Sequence, residues 1–303
     1  MKLVTYEVRN KIRLGIFQKG MVYDLKDSYE LIFGKRDIFP NDMVSLLEGG
    51  DEALDEVRKL EEKLEEWEAR LREQRTAYRE NEVRLHAPIP RPRKNIVCLG
   101  VNYAEHAEET KHDVPKFPVF FTKPPTVVIG PYDPIVLPKS SKMIDYEAEL
   151  AFVFGRKSKN IPEEKALDYV AGYTVMNDVT ARDLQRNHQQ WFKGKGLDTF
   201  GPMGPYLVTK DEIPDPHRLR LTTTLNGRIM QDSNTRNLIF KIPALVSILS
   251  ADMTIEQGDI VSTGTPSGVG NARQPPIYLK AGDLVEVEVE GIGVLRNRVV
   301  SKE

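Results

Sequence analysis

A chain of 303 residues can bury a full core and still carry a second, smaller domain. Charged residues make up 29% of it, yet the formal net charge is only −2 and no basic stripe is present, which excludes a phosphate backbone as the natural partner. Cys98 is the single cysteine and lies in the apolar run Ile96-Val97-Cys98-Leu99; this excludes an intrachain disulfide and a thiolate zinc cluster and reads as a buried, inert thiol.

The first residues lack an uninterrupted hydrophobic region and no later stretch is apolar enough to span a bilayer, so the sequence reads as a soluble, cytoplasmic protein without a membrane partner. Residues 2–8, 12–17 and 21–25 alternate as short strands around a Lys19-Gly20 turn. Residues 51–80 change period and predict one long helix. Leu54, Val57, Leu60, Leu64, Trp67 and Leu71 form its narrow apolar stripe, and Glu66 with Arg70 and Glu68 with Arg72 are supporting pairs one turn apart. Such a helix lies across its own domain or against a partner subunit.

Alternating prolines in residues 88–94 forbid helix and predict an extended connector, which divides the chain into an N-terminal α+β domain at 1–87 and a larger domain at 88–303. Beyond the connector the pattern predicts strands at 95–101, 117–122, 126–129, 147–155, 170–177, 204–208, 219–225, 259–263 and 284–290. Helices are fewer, at 163–168, 179–190 and 240–250. Strands dominate without alternating regularly with helices, so the fold class is a β-rich α+β architecture rather than a doubly wound sheet.

Within the run Tyr146-Glu-Ala-Glu-Leu-Ala-Phe-Val-Phe154, an extended backbone puts Tyr146, Ala148, Leu150, Phe152 and Phe154 on one apolar face. Glu147 and Glu149 then share the other face. Two carboxylates side by side on a buried strand repel each other and are costly to desolvate, and a cation between them removes that penalty. The plain alternative is an edge strand with two solvated glutamates. Asp178 ends the next strand; it is either a helix cap before Thr180-Ala-Arg-Asp-Leu-Gln185 or a third ligand. An all-oxygen set of Glu147, Glu149 and Asp178 selects Mg²⁺, Mn²⁺ or Ca²⁺ over zinc or copper.

Six ordered landmarks carry a family resemblance: Gly100-Val-Asn-Tyr-Ala-Glu-His106, Phe121-Thr-Lys123-Pro, Asp145-Tyr-Glu-Ala-Glu149, Gly172-Tyr-Thr-Val-Met-Asn-Asp178-Val-Thr-Ala-Arg182-Asp, Phe200-Gly-Pro-Met-Gly-Pro205 and Thr263-Gly-Thr-Pro-Ser-Gly-Val-Gly270. From about residue 86 to 300 the chain resembles the fumarylacetoacetate hydrolase family, and its first 90 or so residues resemble the extra module of the longer bacterial and archaeal members. The resemblance implies a mixed β-roll, a homodimer, and a Mg²⁺ or Mn²⁺ site at Glu147, Glu149 and Asp178. It also implies that His106 and Glu109 act as a base dyad on a lid. Residues 102–113, with four acidic residues and two histidines, fit such a lid. Taken alone, His106 and Glu109 are equally a surface pair.

By the same resemblance Lys123 balances the metal carboxylates and orients a ligand oxygen as a substrate-binding residue, and Lys195 stabilises a developing enolate or oxyanion. Gly196 stands where many relatives carry serine. Arg182, Gln185 and Gln189 share a helical face, and Arg182 and Gln185 are the ones placed to touch substrate oxygens. The Gly264–Gly270 segment is no Walker loop; in the family it turns backbone N–H groups and the residue matching Thr265 towards the substrate carboxylate. The expected reaction is metal-dependent C–C cleavage of a small 2-oxo acid through a stabilised enolate, either decarboxylation of oxaloacetate or hydrolysis of an acylpyruvate. Isomerisation or tautomerisation of a hydroxydienedioate-type diacid is the alternative within catalysis. A non-catalytic scaffold and a calcium-stabilised module are the others.

Overall fold

The computed structural model describes residues 1–111 and 113–301. Among these, the larger sheet has 12 strands. Edge to edge its main path runs Ala77–Arg79, Met21–Asp24, Lys11–Gln18, Lys2–Val8, Gly201–Thr209, Val170–Asn177, Ala148–Phe154, Ile260–Ser262, Ile96–Gly100 and Val119–Lys123. A five-stranded sheet, in the order Arg228–Asn234, Arg220–Leu225, Leu284–Val289, Gly293–Ser301 and Ile135–Leu137, packs on one face of it. This is the mixed, β-rich α+β fold expected.

The Ala148–Phe154 strand is central, antiparallel to Val170–Asn177 on one side and to Ile260–Ser262 on the other. All seven of its residues are buried, and its alternation is read out by two different cores. Tyr146, Ala148, Leu150, Phe152 and Phe154 pack between the two sheets with Leu221, Val287 and Leu295. Ala151 and Val153 face the opposite core, with the N-terminal helices. An exposed edge strand is therefore ruled out for Glu147 and Glu149, which are 4% and 1% exposed.

The N-terminal strands continue the larger sheet. Lys2 and Leu3 pair with Val208 and Leu207, and the Met1 ammonium donates to Thr209 Oγ1 (2.9 Å). The stripe predicted as one long helix is two helices, Gly50–Glu61 and Leu64–Glu73. Between them Lys63 N–H reaches back to Leu60 O, an i→i−3 bond that tightens the turn and redirects the axis. The bend keeps Val57, Leu60, Leu64 and Leu71 all fully buried in the N-terminal core. A straight rod of that length would reach about 34 Å and leave a compact module. Of the two predicted resting places, the stripe takes its own chain. Neither expected charge pair forms among the described residues: Lys63 takes Glu66 (3.1 Å), the Tyr23 hydroxyl donates to Glu68 (3.1 Å), and Arg70 lies over the Trp67 ring.

The helix read at 179–190 starts later and is shorter, Arg182–Asn187. Thr180 and Ala181 are held extended by pairing with Asp145 and Ile144, so Asp178 stands four residues before the first helical residue and caps nothing. Residues 163–169 form a 3₁₀ helix, and Pro243 fits the first turn of Ile242–Ser250. Short helices at Leu25–Phe33, Met43–Glu48, Ala104–Thr110 and Phe192–Lys195, and strands at Arg228–Asn234, Gly293–Ser301 and Ile135–Leu137, were not expected from the pattern.

Candidate metal centre and active site

Strand pairing brings the three carboxylates together. The ladder between Ala148–Phe154 and Val170–Asn177 extends one step past its end: Asp178 N–H donates to Glu147 O (2.9 Å), and Glu147 N–H donates to the Asn177 side chain (3.0 Å). Glu147, Glu149 and Asp178 thereby offer oxygens that all lie within 4.8 Å of one another, and all three residues are buried. Asp145 continues the same alternation one step earlier, at 0% exposure.

Three cations answer these acids. Lys195 Nζ bridges Glu147 Oε2 (2.6 Å) and Asp178 Oδ2 (2.7 Å), and Lys123 Nζ donates to Asp178 Oδ1 (2.5 Å) and Val179 O (3.2 Å). Arg182 pairs with Glu147 Oε1 (2.8 Å) and Asp145 Oδ2 (2.8 Å) and donates to Gln185 Oε1 (3.2 Å). Burial alone would raise the Glu147 carboxyl, but Lys195 and Arg182 outweigh it and hold the group well below the usual range. Burial likewise opposes the charge on Lys195, yet Asp178 and Glu147 raise its ammonium. For Lys123 burial prevails over the attraction of Asp178 and its pKa falls.

Glu149 has no such cation. Burial, then repulsion from Asp178 and Glu147, pushes its carboxyl far above the ordinary value. Ser262 Oγ (2.5 Å) and Gly264 N–H (2.9 Å) both donate to its Oε2, and among the described residues Oε1 receives no donor. With all four buried carboxylates ionised, the three buried cations among the described residues would leave one negative charge in excess. A cluster of hard oxygen donors with an uncompensated charge fits a divalent cation of the Mg²⁺ or Mn²⁺ kind.

Above this cluster lies a cavity of about 580 Å³ whose wall includes His106, Glu109, Glu147, Arg182, Lys195 and Thr265. Gln185 and Gln189 also reach it, although the helix ends at Asn187, before Gln189. Lys123 does not. It is completely buried with its ammonium committed to Asp178 and Val179, so it balances the acids, as expected, but does not reach a ligand oxygen directly.

Two expected interactions differ. His106 sits on the Ala104–Thr110 helix, whose base is tied down by Asn102 donating to Thr263 O (2.8 Å) and Phe240 O (3.1 Å). Its Nδ1 is 3.5 Å from Glu109 Oε2 without a hydrogen bond to it, while both Glu109 oxygens accept from Gly268 N–H (2.9 and 3.0 Å). The dyad is adjacent without being joined. His112, in the segment read as a lid, lies outside the described residues. The second difference concerns the glycine-rich loop, whose donors serve the protein's own acids. Gly264 N–H goes to Glu149, Gly268 N–H to Glu109, and Gly270 N–H (2.8 Å) and Asn271 N–H (3.0 Å) to Asp145. Thr265, 4% exposed, is the part of the loop that keeps to the cavity as expected.

Asp145, Ser262 and Gln231 were not singled out from the sequence. A signal for Asp145 existed, since Asp145, Glu147 and Glu149 share one period-two face. Gln231 carried none, because its strand, Arg-Ile-Met-Gln-Asp-Ser-Asn, shows no alternation.

Known proteins resemble this chain over its whole length. An oxaloacetate tautomerase of Bacillus subtilis is 41% identical over 305 residues, covering 99% of this chain and 100% of its own. A fumarylacetoacetate hydrolase structure from Exiguobacterium antarcticum superposes with a TM-score of 0.83 at 35% identity, covering all of both chains. A maleylpyruvate hydrolase structure from Sphingobium sp., in complex with manganese(II) ion and pyruvate, gives a TM-score of 0.73 at 27% identity, again over all of both chains. The profile of the fumarylacetoacetate (FAA) hydrolase C-terminal family matches residues 95–300. With the carboxylate-lined cavity lying wholly inside that match, the chain belongs to the fumarylacetoacetate hydrolase family.

Proposed function

We propose that the protein is an oxaloacetate tautomerase, interconverting the keto and enol forms of this small 2-oxo diacid at a divalent-metal centre. The observation that carries the reading is the end-to-end match to a tautomerase of that name, combined with a buried, under-compensated carboxylate triad beneath a polar cavity. The C–C cleavage expected from the sequence thus gives way to the tautomerisation class as the first choice.

Glu147, Glu149 and Asp178 would hold Mg²⁺ or Mn²⁺, and the bound cation would supply Lewis-acid polarisation of the 2-oxo group. The remaining work belongs to side chains. Enolisation breaks one C3–H bond and forms one O–H bond at C2, so it needs a base, an acid and a place for transient negative charge. His106, on the cavity wall, is the base for the C3 proton, and Glu109 beside it steadies the imidazolium that results. The Lys195 ammonium stands beside Glu147 and faces the charge developing on the 2-oxygen, which takes its proton from solvent in the cavity while the proton held by His106 is released there. Arg182, Gln185 and Thr265 orient the carboxylates of the diacid. With all four carboxylates ionised, a bound divalent cation would leave the cluster one excess positive charge, which suits an anionic substrate. Lys123 keeps Asp178 aligned from below.

A second reading, cleavage between C3 and C4, is favoured by the manganese and pyruvate bound in the related hydrolase structure. One assay separates the two. Enol-oxaloacetate is followed by its ultraviolet absorbance while pyruvate is measured in parallel. Fast loss of the enol without matching pyruvate supports tautomerisation, and stoichiometric pyruvate supports decarboxylation. Neither change above the buffer rate, with metal bound, overturns both.

We also keep the division at residue 87 as a proposal, supported by the family match beginning at residue 95. The homodimer implied by the family is read by light scattering as twice the 34.5 kDa chain mass.

A further inference from the structure

Gln231 is a buried glutamine, 1% exposed, on the Arg228–Asn234 strand of the smaller sheet. Its side chain spans from that sheet to the carboxylate strand and the glycine-rich loop. Oε1 accepts from the backbone N–H of Ala148 (2.9 Å), the residue between Glu147 and Glu149, and from Thr223 Oγ1 (2.8 Å). Nε2 donates to Thr265 Oγ1 (2.8 Å) and to Pro266 O (3.0 Å). A primary amide has two donor hydrogens and two acceptor positions, and all four are used.

The amide can face only one way. The Ala148 N–H can only donate and the Pro266 carbonyl can only accept, so a flip would oppose donor to donor and acceptor to acceptor. Nε2 must therefore point at Thr265, and in that bond the threonine oxygen is the acceptor. Its own proton is directed elsewhere. Among the described residues no protein acceptor takes it, and Thr265 lines the cavity.

We propose that Gln231 is a positioning residue that fixes the Thr265 hydroxyl as a donor into the cavity, selecting an anionic oxygen of the ligand. The inference rests on the proposed function only in taking a 2-oxo acid as that ligand. Glutamate at position 231 would reverse the polarity, because a carboxylate only accepts; Thr265 would then donate to it and turn lone pairs towards the ligand.

The test uses the full chain loaded with Mg²⁺. Oxalate binding is measured by calorimetry and enol-oxaloacetate turnover by absorbance, for the wild type, Gln231→Glu, Thr265→Val, Thr265→Ser and the Gln231→Glu/Thr265→Val double variant. Gln231→Glu is expected to weaken oxalate binding and raise KM by about 10- to 100-fold, the loss of one hydrogen bond to a charged group. Its kcat should stay within about twofold, as for an interaction made equally in ground and transition states. Mn²⁺ affinity in the absence of oxalate should not move, which separates positioning from a general structural defect. Thr265→Ser should bind oxalate like the wild type, and in the Thr265→Val background Gln231→Glu should add little. Unchanged KM and oxalate affinity in Gln231→Glu, or full additivity with Thr265→Val, would overturn the inference. A wild type that binds Mn²⁺ but neither binds oxalate nor acts on oxaloacetate would instead overturn the underlying function. Should Gln231→Glu not fold, the wild-type side-chain amide resonance of Gln231 carries the test. It must shift when oxalate accepts from the Thr265 hydroxyl, and a resonance that stays put refutes the proposal.

Discussion

Replacing Glu149 by glutamine tests the electrostatic basis of the metal site. The ligand oxygens of Glu147, Glu149 and Asp178 lie within 4.8 Å of one another. At that separation and an effective dielectric of about 20, each pair of ionised carboxylates repels by about 3 kcal/mol. Burial is the larger cause of the raised Glu149 carboxyl, and repulsion from Asp178 and Glu147 adds to it, with no ion pair to Glu149 among the described residues. Burial and these neighbours favour its neutral form when no metal is bound, and glutamine copies that form while retaining an oxygen for Ser262 and Gly264. The metal-free variant should therefore melt within about 1 kcal/mol of the wild type, the range of a substitution that removes no interaction. Metal separates them. At a hundredfold excess over its Kd a divalent ion stabilises the wild type by about 2.7 kcal/mol, a shift of roughly 4 °C for a chain of 303 residues. Thermal unfolding with Mn²⁺ or with EDTA reads both numbers. A glutamine variant that keeps the full wild-type shift, or one that falls by more than about 4 °C without metal, would refute the reasoning.

Three further outcomes are expected. His106→Ala should lower kcat for enol–keto interconversion by about 10²- to 10⁴-fold, as loss of a general base does, with Mn²⁺ affinity unchanged. Deleting residues 1–87 should leave a chain that aggregates or lacks a cooperative melt, because it bares the Gly201–Thr209 edge and one face of the Ala148–Phe154 strand; this is checked by scattering and calorimetry. Stability should also fall with acid through His217, whose Nε2 accepts from Ile242 N–H (3.2 Å) at the start of a helix. Burial, then Lys241, lowers the imidazole from its ordinary value of 6.5, so the unfolded chain takes the proton first. The contribution is complete above that unfolded value and is lost below it, by at most about 1.4 kcal/mol per pH unit. Urea titrations at stepped pH should show a shallower slope in His217→Gln.

The carboxylate centre was legible only in part. The period-two pattern left Glu147 and Glu149 open between a metal pair and an exposed edge, and Asp178 between a cap and a ligand; the family resemblance joined them into one site. The break at Glu62–Lys63 was not legible, because both halves of the stripe keep helical spacing and only the curvature of the underlying core forces the bend. The late start of the Arg182–Asn187 helix depends on pairing with Ile144–Asp145, a partner some 35 residues away. Side-chain commitments were the least visible. Nothing in the glycine-rich run announces that its N–H groups bind Asp145, Glu109 and Glu149, or that Lys123 is sealed under Asp178. Gln231 became visible only when the second sheet set it against Ala148 and Thr265.

The central claim is that Glu147, Glu149 and Asp178 hold a divalent cation that makes this family member an oxaloacetate tautomerase. The most direct measurement is the rate of enol-oxaloacetate ketonisation by the metal-loaded chain, by the EDTA-stripped chain and by Glu147→Gln. The account predicts turnover far above the buffer rate with Mg²⁺ or Mn²⁺, and its loss in both other samples. Full turnover after metal removal, or bound metal with no turnover, would contradict it.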